Sequence, residues 1–241
     1  MKSIYNKDNP LRVFTAFSGY DSQCMGLDRI KSSHPEFDYE LVGWSEIEPN
    51  AIKAHNLIYP QYKERNFGDI SKINWDNVPY FDLFTYSSPC QDFSLAGQMR
   101  GGVEGSGTRS SLLWQCRRAI LSKKPKFLLL ENVKNLASKS FFPLLFKWCM
   151  ELADYDYSNF MKVLNSLDYG VPQNRERVFV VSIRNDMMYN HPTGYKFPKP
   201  KKIITSIDDL IFDDVDDKYD MRMNKIEEFK QKCINEQKKH Y

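Results

Sequence analysis

The sequence predicts an α/β fold with a mostly parallel sheet and an antiparallel strand near its C-terminal end. Three observations carry this. Short apolar runs rich in β-branched and aromatic residues alternate with helical patterns over residues 13–152. Several of those runs stop at a turn or an acidic residue, at Ser18-Gly19, Glu46 and Glu131. The last two runs, 160–164 and 178–183, are joined by a polar loop with no long helix between them, which predicts an antiparallel pair at one side of the sheet.

Taken in order, residues 13–17 form a buried strand that enters a turn at Ser18-Gly19, and Asp21 or Ser22 is placed to cap a helix reaching about residue 30. Residues 39–44 form a second strand ending near Glu46. Pro49 then suits the first turn of a helix containing Ala51, Ile52, Ala54 and His55. Residues 82–86 read as a third strand, followed by a Gly- and Ser-rich stretch over 87–110. A helical pattern covers 112–121, a strand 127–130, and a helix 141–152. In open sheets of this kind ligands bind beyond the carboxyl ends of the strands, so Gly19, Glu46, Asp69, Cys90 and Glu131 are expected to gather there.

Composition bounds the chain without naming a partner. Its 241 residues, 41% of them hydrophobic, can bury a sizeable core. The balance of 34 Lys+Arg against 31 Asp+Glu leaves only +3. That allows a local basic surface but does not demand one. The five cysteines are widely spaced and form no Cys-x-x-Cys pair, which argues against a disulfide framework or a zinc site and suits a reducing cytoplasm. The apolar runs are too short to span a bilayer, and residues 1–10 lack a signal-peptide core. After Asn185 the character changes. Residues 191–202 are rich in proline and lysine, 206–220 are acidic, and 224–241 form a polar helix candidate. The expected organisation is therefore a domain over 1–185 and a linker with an incomplete extension over 186–241.

The candidate chemistry lies in short motifs, each with a plain alternative. Cys90, in Ser88-Pro89-Cys90-Gln91, sits at a strand end where its sulfur can face a cleft, although a lone cysteine is more often a buried thiol. Glu131 ends an apolar strand, where it can act in a site, cap the next helix, or pair with a lysine such as Lys134. Arg175 and Arg177 alternate, so in an extended segment both face one side, although an isolated stretch of this kind is more often a solvated surface loop with salt bridges. Glu46 can accept from both ribose hydroxyls of a nucleoside cofactor, or serve as a helix cap or turn residue. Asp69 can accept from an adenine amino group with Ile70 packed on the ring, or serve as a turn residue.

Together, the order Phe17-x-Gly19, Glu46, Gly68-Asp69-Ile70, Pro89-Cys90-Gln91, Glu131-Asn132-Val133 and Gln173-x-Arg175-x-Arg177 resembles the cytosine-5 DNA methyltransferase family. Lys124-Pro125-Lys126 and the run from Leu164 through Asn165, Tyr169 and Gly170 to Pro172 strengthen the match, which covers residues 11–184. The resemblance implies a Rossmann-like S-adenosylmethionine-dependent methyltransferase fold. It implies Cys90 as the nucleophile that adds to C6 of a flipped cytosine, Glu131 as the residue that holds N3 and the exocyclic amine, and Arg175 and Arg177 near O2. S-adenosylmethionine is the implied cofactor. Phe17, Gly19, Glu46, Ile47, Asp69, Ile70, Pro89 and Leu112 are its implied lining, with Ser18 and Tyr20 in the same turn. No metal is implied.

Double-stranded DNA is the implied partner, with Gln91, Ser94 and Gln98 as contacts on a glycine-rich loop that closes over it. Gly19 is followed by Tyr20-Asp21-Ser22 where the family continues with glycines, so a modified pocket is expected. After Arg184 neither a target-recognition region nor the final motifs are legible. This points to a second polypeptide that supplies them, or to a truncated product. The alternatives are an inactive S-adenosylmethionine- or DNA-binding subunit and a tRNA cytosine-5 methyltransferase.

Overall fold

The computed structural model describes residues 4–89, 109–188, 194–201, 206, 208–210 and 225. Six strands form one sheet: β1 (Leu11–Ala16), β2 (Tyr39–Ser45), β3 (Leu83–Tyr86), β4 (Phe127–Val133), β5 (Tyr157–Asn165) and β6 (Glu176–Arg184). Their spatial order is β2-β1-β3-β4-β6-β5. β1 pairs in parallel with β2 and with β3, and β3 pairs in parallel with β4. β6 runs antiparallel to both β4 and β5, which makes it the antiparallel strand that the sequence predicts.

The helices are α1 (Ser22–Ser33), α2 (Pro49–Ile58), α3 (Cys116–Lys123) and α4 (Phe142–Asp154). They lie against two apolar layers, one on each face of the sheet. One layer holds Phe14, Trp75, Phe81, Phe84, Tyr86, Trp114 and Trp148, and the other Val13, Cys24, Leu41, Trp44 and Tyr59. Burial of these large side chains is the main stabilising term. Gly43 is required by packing. A register shift in the β1–β2 ladder sets it opposite Phe14, and a Cβ there would stand 2.8 Å from the rings of Phe14 and Phe67. Buried Asp82 joins the entry ends of the parallel strands, accepting from Arg12 N at 3.2 Å and facing Lys126 Nζ at 2.9 Å.

Three local expectations change. Residues 109–115 form a 3-10 turn, and the α-helix proper starts only at Cys116. It stops at Lys124, which takes a left-handed conformation (φ 44°) immediately before Pro125, a residue that disfavours helix at its predecessor. β5 begins at Tyr157, three residues before the predicted strand, because Tyr157 is buried and its hydroxyl donates to Pro125 O at 2.6 Å. Asp21 stands at the N-cap of α1 but caps nothing. Its carboxylate is turned into the interior, where it accepts from Thr15 Oγ1 at 2.9 Å.

Candidate active site

Turns at the carboxyl ends of β1, β2 and β3 enclose a cleft of about 360 Å³. The turn after β1 is conformationally unusual. Phe17, Gly19 and Asp21 all have positive φ, at 55°, 57° and 69°. A left-handed phenylalanine costs about 1–3 kcal/mol and persists only where its surroundings over-determine it. Here Ser18 N donates to Ser45 O at 3.2 Å, Asp21 N to Ser18 O at 2.8 Å, and Ser87 Oγ to Phe17 O at 3.4 Å.

The Glu46 carboxylate is held by backbone amides. Oε2 accepts from Gly19 N at 2.9 Å, and Oε1 from Ile47 N at 2.8 Å and Glu48 N at 2.9 Å. An ionised carboxylate has about four acceptor sites, so capacity remains for a ligand's hydroxyl groups. Ile47 is 64% exposed beside it, an apolar surface open to a flat ring. Asp69 Oδ1 accepts from Ser71 N at 2.9 Å and Ser71 Oγ at 2.8 Å, and these bonds hold its carboxyl below the usual carboxylate range. Oδ2 stays available, with Lys72 Nζ 3.8 Å away.

Phe17, Glu46, Ile47, Asp69, Ile70, Pro89 and Leu112 line this cleft, joined by Ser45, Glu48 and Gly68. Three expected residues of the turn after β1 lie beside this lining and not in it. Ser18 is buried and spends its hydroxyl on Ser45 O at 3.2 Å, and Tyr20 is 52% exposed; neither lines the cleft. Gly19 acts through its amide on Glu46 instead of lining the wall.

A second cavity, of about 410 Å³, opens between β4, β6 and the β5–β6 connection. Glu131, Arg175 and Arg177 line it together with Asn165, Tyr169 and Phe179. Val133 pairs with Arg177 across the antiparallel ladder, and Glu131 lies two residues from Val133 on the same face. The result is a Glu131 Oε1–Arg177 Nε contact of 3.2 Å. Lys134, the other expected partner of Glu131, pairs instead with Glu176 at 2.8 Å. Burial pushes the Glu131 carboxyl upward, while Arg177 and then Arg175 pull it down; burial wins.

Two asparagines outside the expected set hold these parts. Asn132 is buried and donates to Ser88 O at 3.1 Å while its own oxygen accepts from Val133 N at 2.9 Å. This clips the end of β4 to the segment leading into Pro89. Asn165 Oδ1 accepts from Arg175 N at 3.1 Å and Leu167 N at 3.2 Å, and its Nδ2 donates to Asn174 Oδ1 at 2.8 Å. It thereby fixes the turn that presents Arg175. Both asparagines fall inside legible motifs, yet nothing in those motifs marks them as fasteners.

Cys90 lies outside the described residues, as do Gln91, Ser94 and Gln98. Among the described cysteines, Cys24 and Cys116 are buried and their thiols are pushed well up by desolvation. Burial also pushes Cys149 up to about 11. A thiol needs its anion to act as a nucleophile near neutral pH, so all three are unsuited to that role. Among the described residues no group of three side chains could hold a metal ion, and no helix is long and apolar enough to cross a membrane. The expected gathering of acids divides between the two cavities: Glu46 and Asp69 share the first, and Glu131 lines the second.

Comparison with known proteins accounts for this arrangement. Two solved structures share the fold at low identity. The Dnmt2 methyltransferase of S. pombe has a TM-score of 0.63 and 18% identity over 92% of this chain and 66% of that one. The Entamoeba histolytica methyltransferase EhMeth has a TM-score of 0.65 and 19% identity over 88% and 63%. Relatives in sequence are nearer. Type II methyltransferase M2.ScrFI of Lactococcus lactis subsp. cremoris is 36% identical over 90% of this chain and 71% of its own length. Type II methyltransferase M.HhaI of Haemophilus parahaemolyticus is 36% identical over 67% of this chain, which spans 47% of that protein. Residues 11–241 match the C-5 cytosine-specific DNA methylase family, so the match runs beyond Arg184, where the motif order stops being legible. A match of that extent, on a sheet whose strand ends carry the motif residues in family order, makes the chain a member of the C-5 cytosine-specific DNA methylase family.

Proposed function

We propose that the chain transfers a methyl group from S-adenosylmethionine to C5 of a cytosine flipped out of double-stranded DNA, with Cys90 as nucleophile. The observation that carries this reading is the Glu131–Arg177 pair, in which a half-buried acid with a raised pKa faces a cavity beside two arginines. A carboxyl raised in this way holds its proton more readily than an exposed one, as activation of a ring nitrogen requires.

In this reading the Cys90 thiolate adds to C6 of the target base, and the electron pair of the C5–C6 bond makes C5 reactive. Glu131 protonates or hydrogen-bonds N3 as the thiolate adds, so that charge does not build up on the ring. Arg177 orients Glu131 and, with Arg175, faces the base oxygen. Once C5 carries the methyl group, its remaining proton is lost to water, the electron pair re-forms the C5–C6 double bond and expels the Cys90 thiolate, and N3 returns its proton to Glu131. The base leaves the stack first, at a cost of a few kcal/mol.

The first cleft fits the cofactor's nucleoside. Glu46, its carboxylate already oriented by three amides, would take the ribose hydroxyls; Asp69 Oδ2 would take the adenine amine, with Ile47 and Ile70 against the ring. S-adenosylmethionine supplies an electrophilic methyl group when bound there. Residues 1–185 carry this chemistry in the present reading. Sequence-specific contacts come from residues 186–241 or from a second polypeptide, and footprints of the chain alone on DNA of mixed sequence separate the two.

The reading is tested with duplex DNA containing 5-fluorocytosine and S-adenosylmethionine. A covalent protein–DNA species that survives denaturation is expected, and Cys90→Ser should abolish it. An adduct that persists in Cys90→Ser overturns the assignment of the nucleophile.

A further inference from the structure

Beneath the turn that follows β1, three polar side chains are sealed in the apolar interior. Thr15, Asp21 and His55 are fully buried, at 0% exposure. Thr15 Oγ1 donates to Asp21 Oδ2 at 2.9 Å, and His55 Nε2 lies 3.4 Å from the same oxygen. The imidazole is stacked on Trp44, with ring centroids 3.7 Å apart and planes 20° from parallel, and Tyr59 tilts against it at 5.6 Å. Asp21 Oδ1 and both ring nitrogens of His55 have no hydrogen-bond partner among the described residues, so the pair meets as a close buried approach braced by the Thr15 hydrogen bond. None of these three groups faces either cavity.

Their placement links two separate pieces of the cleft wall. Asp21 closes the turn 17–21 in a left-handed conformation (φ 69°, ψ 53°), with its amide on Ser18 O. His55 is carried by α2, which begins directly after Glu46, Ile47 and Glu48. The turn and the start of α2 are therefore joined twice: at the cleft by Gly19 N on Glu46 Oε2, and underneath by Asp21 on His55. The turn is also tied at its start by Ser18 N on Ser45 O and by Ser87 Oγ on Phe17 O, so the lower contact braces its far end at Asp21, where Trp44 leaves the imidazole little room to move.

We infer that Asp21 and His55 are positioning residues for cofactor binding: their buried contact, anchored by Thr15, holds the left-handed turn 17–21 against α2 and so sets the cleft at Glu46. The inference rests on the reading of that cleft as the S-adenosylmethionine site. Neither residue touches the cofactor in this account. Their effect passes through the Gly19 amide and the Glu46 carboxylate.

The test uses the full chain and the variants Asp21→Gly, which still permits the left-handed backbone, and His55→Phe, which keeps the stack on Trp44. His55→Gln serves where His55→Phe does not fold. Hydrogen exchange of the peptide covering residues 18–25, without cofactor, should quicken about tenfold in each variant. Calorimetric Kd for S-adenosylmethionine should rise about tenfold, with the kinetic loss mainly in KM for the cofactor and not in kcat. The double variant should be no worse than either single one, because both break the same contact. Unchanged exchange in the single variants, or additive losses in the double, overturns the inference and leaves the pair as core packing. Faster exchange with Kd unmoved keeps the turn-holding role, breaks its link to the cofactor, and counts against the cofactor reading of the cleft.

Discussion

At the cleft beside β1 and β2, the Glu46 carboxylate accepts from the amides of Gly19, Ile47 and Glu48. At the cavity beside β4 and β6, the Glu131 carboxylate faces the side chains of Arg177 and Arg175. Amides are set by the backbone and keep a carboxylate aimed. Guanidinium groups sit on long side chains and can follow a charge as it moves. Burial also raises Glu131 towards its protonated form. In the proposed reading one carboxylate binds and the other exchanges a proton, although Glu46 follows β2 and Glu131 lies near the end of β4 in the same sheet.

Substitution should separate these two roles. The largest effect is expected from Glu131→Gln, which should lower the rate of methyl transfer by about 10²- to 10⁴-fold, the usual range for a positioned acid. Its calorimetric Kd for S-adenosylmethionine should stay within about twofold of the parent. Equal losses in both would mean that the regions do not act separately. Glu46→Ala comes next. Hydrogen bonds to a charged group contribute about 1.5–3 kcal/mol, so cofactor Kd should rise about 10- to 100-fold. An unmoved Kd sinks the assignment of this carboxylate to the cofactor.

The third expectation concerns pH. Arg177 lowers the Glu131 pKa, so Arg177→Gln should raise it further, and the limb of the kcat/KM profile on which Glu131 ionises should move to higher pH. Stability should follow the same sign. A carboxyl whose folded pKa lies above its unfolded value gives stability that is present below the unfolded pKa and is lost as pH rises through the folded one. The thermal midpoint should therefore fall with rising pH across that window, and further in Arg177→Gln than in the parent. A limb that moves to lower pH would contradict the charge arrangement. The smallest effect belongs to Ile47→Ala, where loss of one apolar face should weaken cofactor binding by about 1 kcal/mol, or roughly fivefold.

Much of this frame is legible in the residues, and the rest is not, for identifiable reasons. Strands that lie inside the sheet, such as 13–17 and 127–130, are continuous apolar runs and show themselves. The start of β5 does not, because Tyr157, Ser158 and Asn159 belong to an edge strand whose pairing is settled by β6. The acids of the two cavities were readable from their places at strand ends. The partners that orient them were not. Asp21 looks like a helix cap by position, and only His55, arriving from α2, shows why its carboxylate turns inward. Asn132 and Asn165 lie in plain view within motifs, but the carbonyl and amides they hold come from other turns of the chain.

The insertion of β6 between β4 and β5 has a consequence for synthesis. A chain is made from its N-terminus and its domains fold as units during emergence. By the time α4 has left the ribosome, both turns of the first cleft and the strand bearing Glu131 already exist. The counter-charge at residue 177 arrives later and has to enter beside β4. In the proposed reading, a nascent protein of this sequence passes through a stage at which the cleft at Glu46 can form while Glu131 still lacks its arginine partner. Among the described strands, the proposed chemistry thus waits for the last one made.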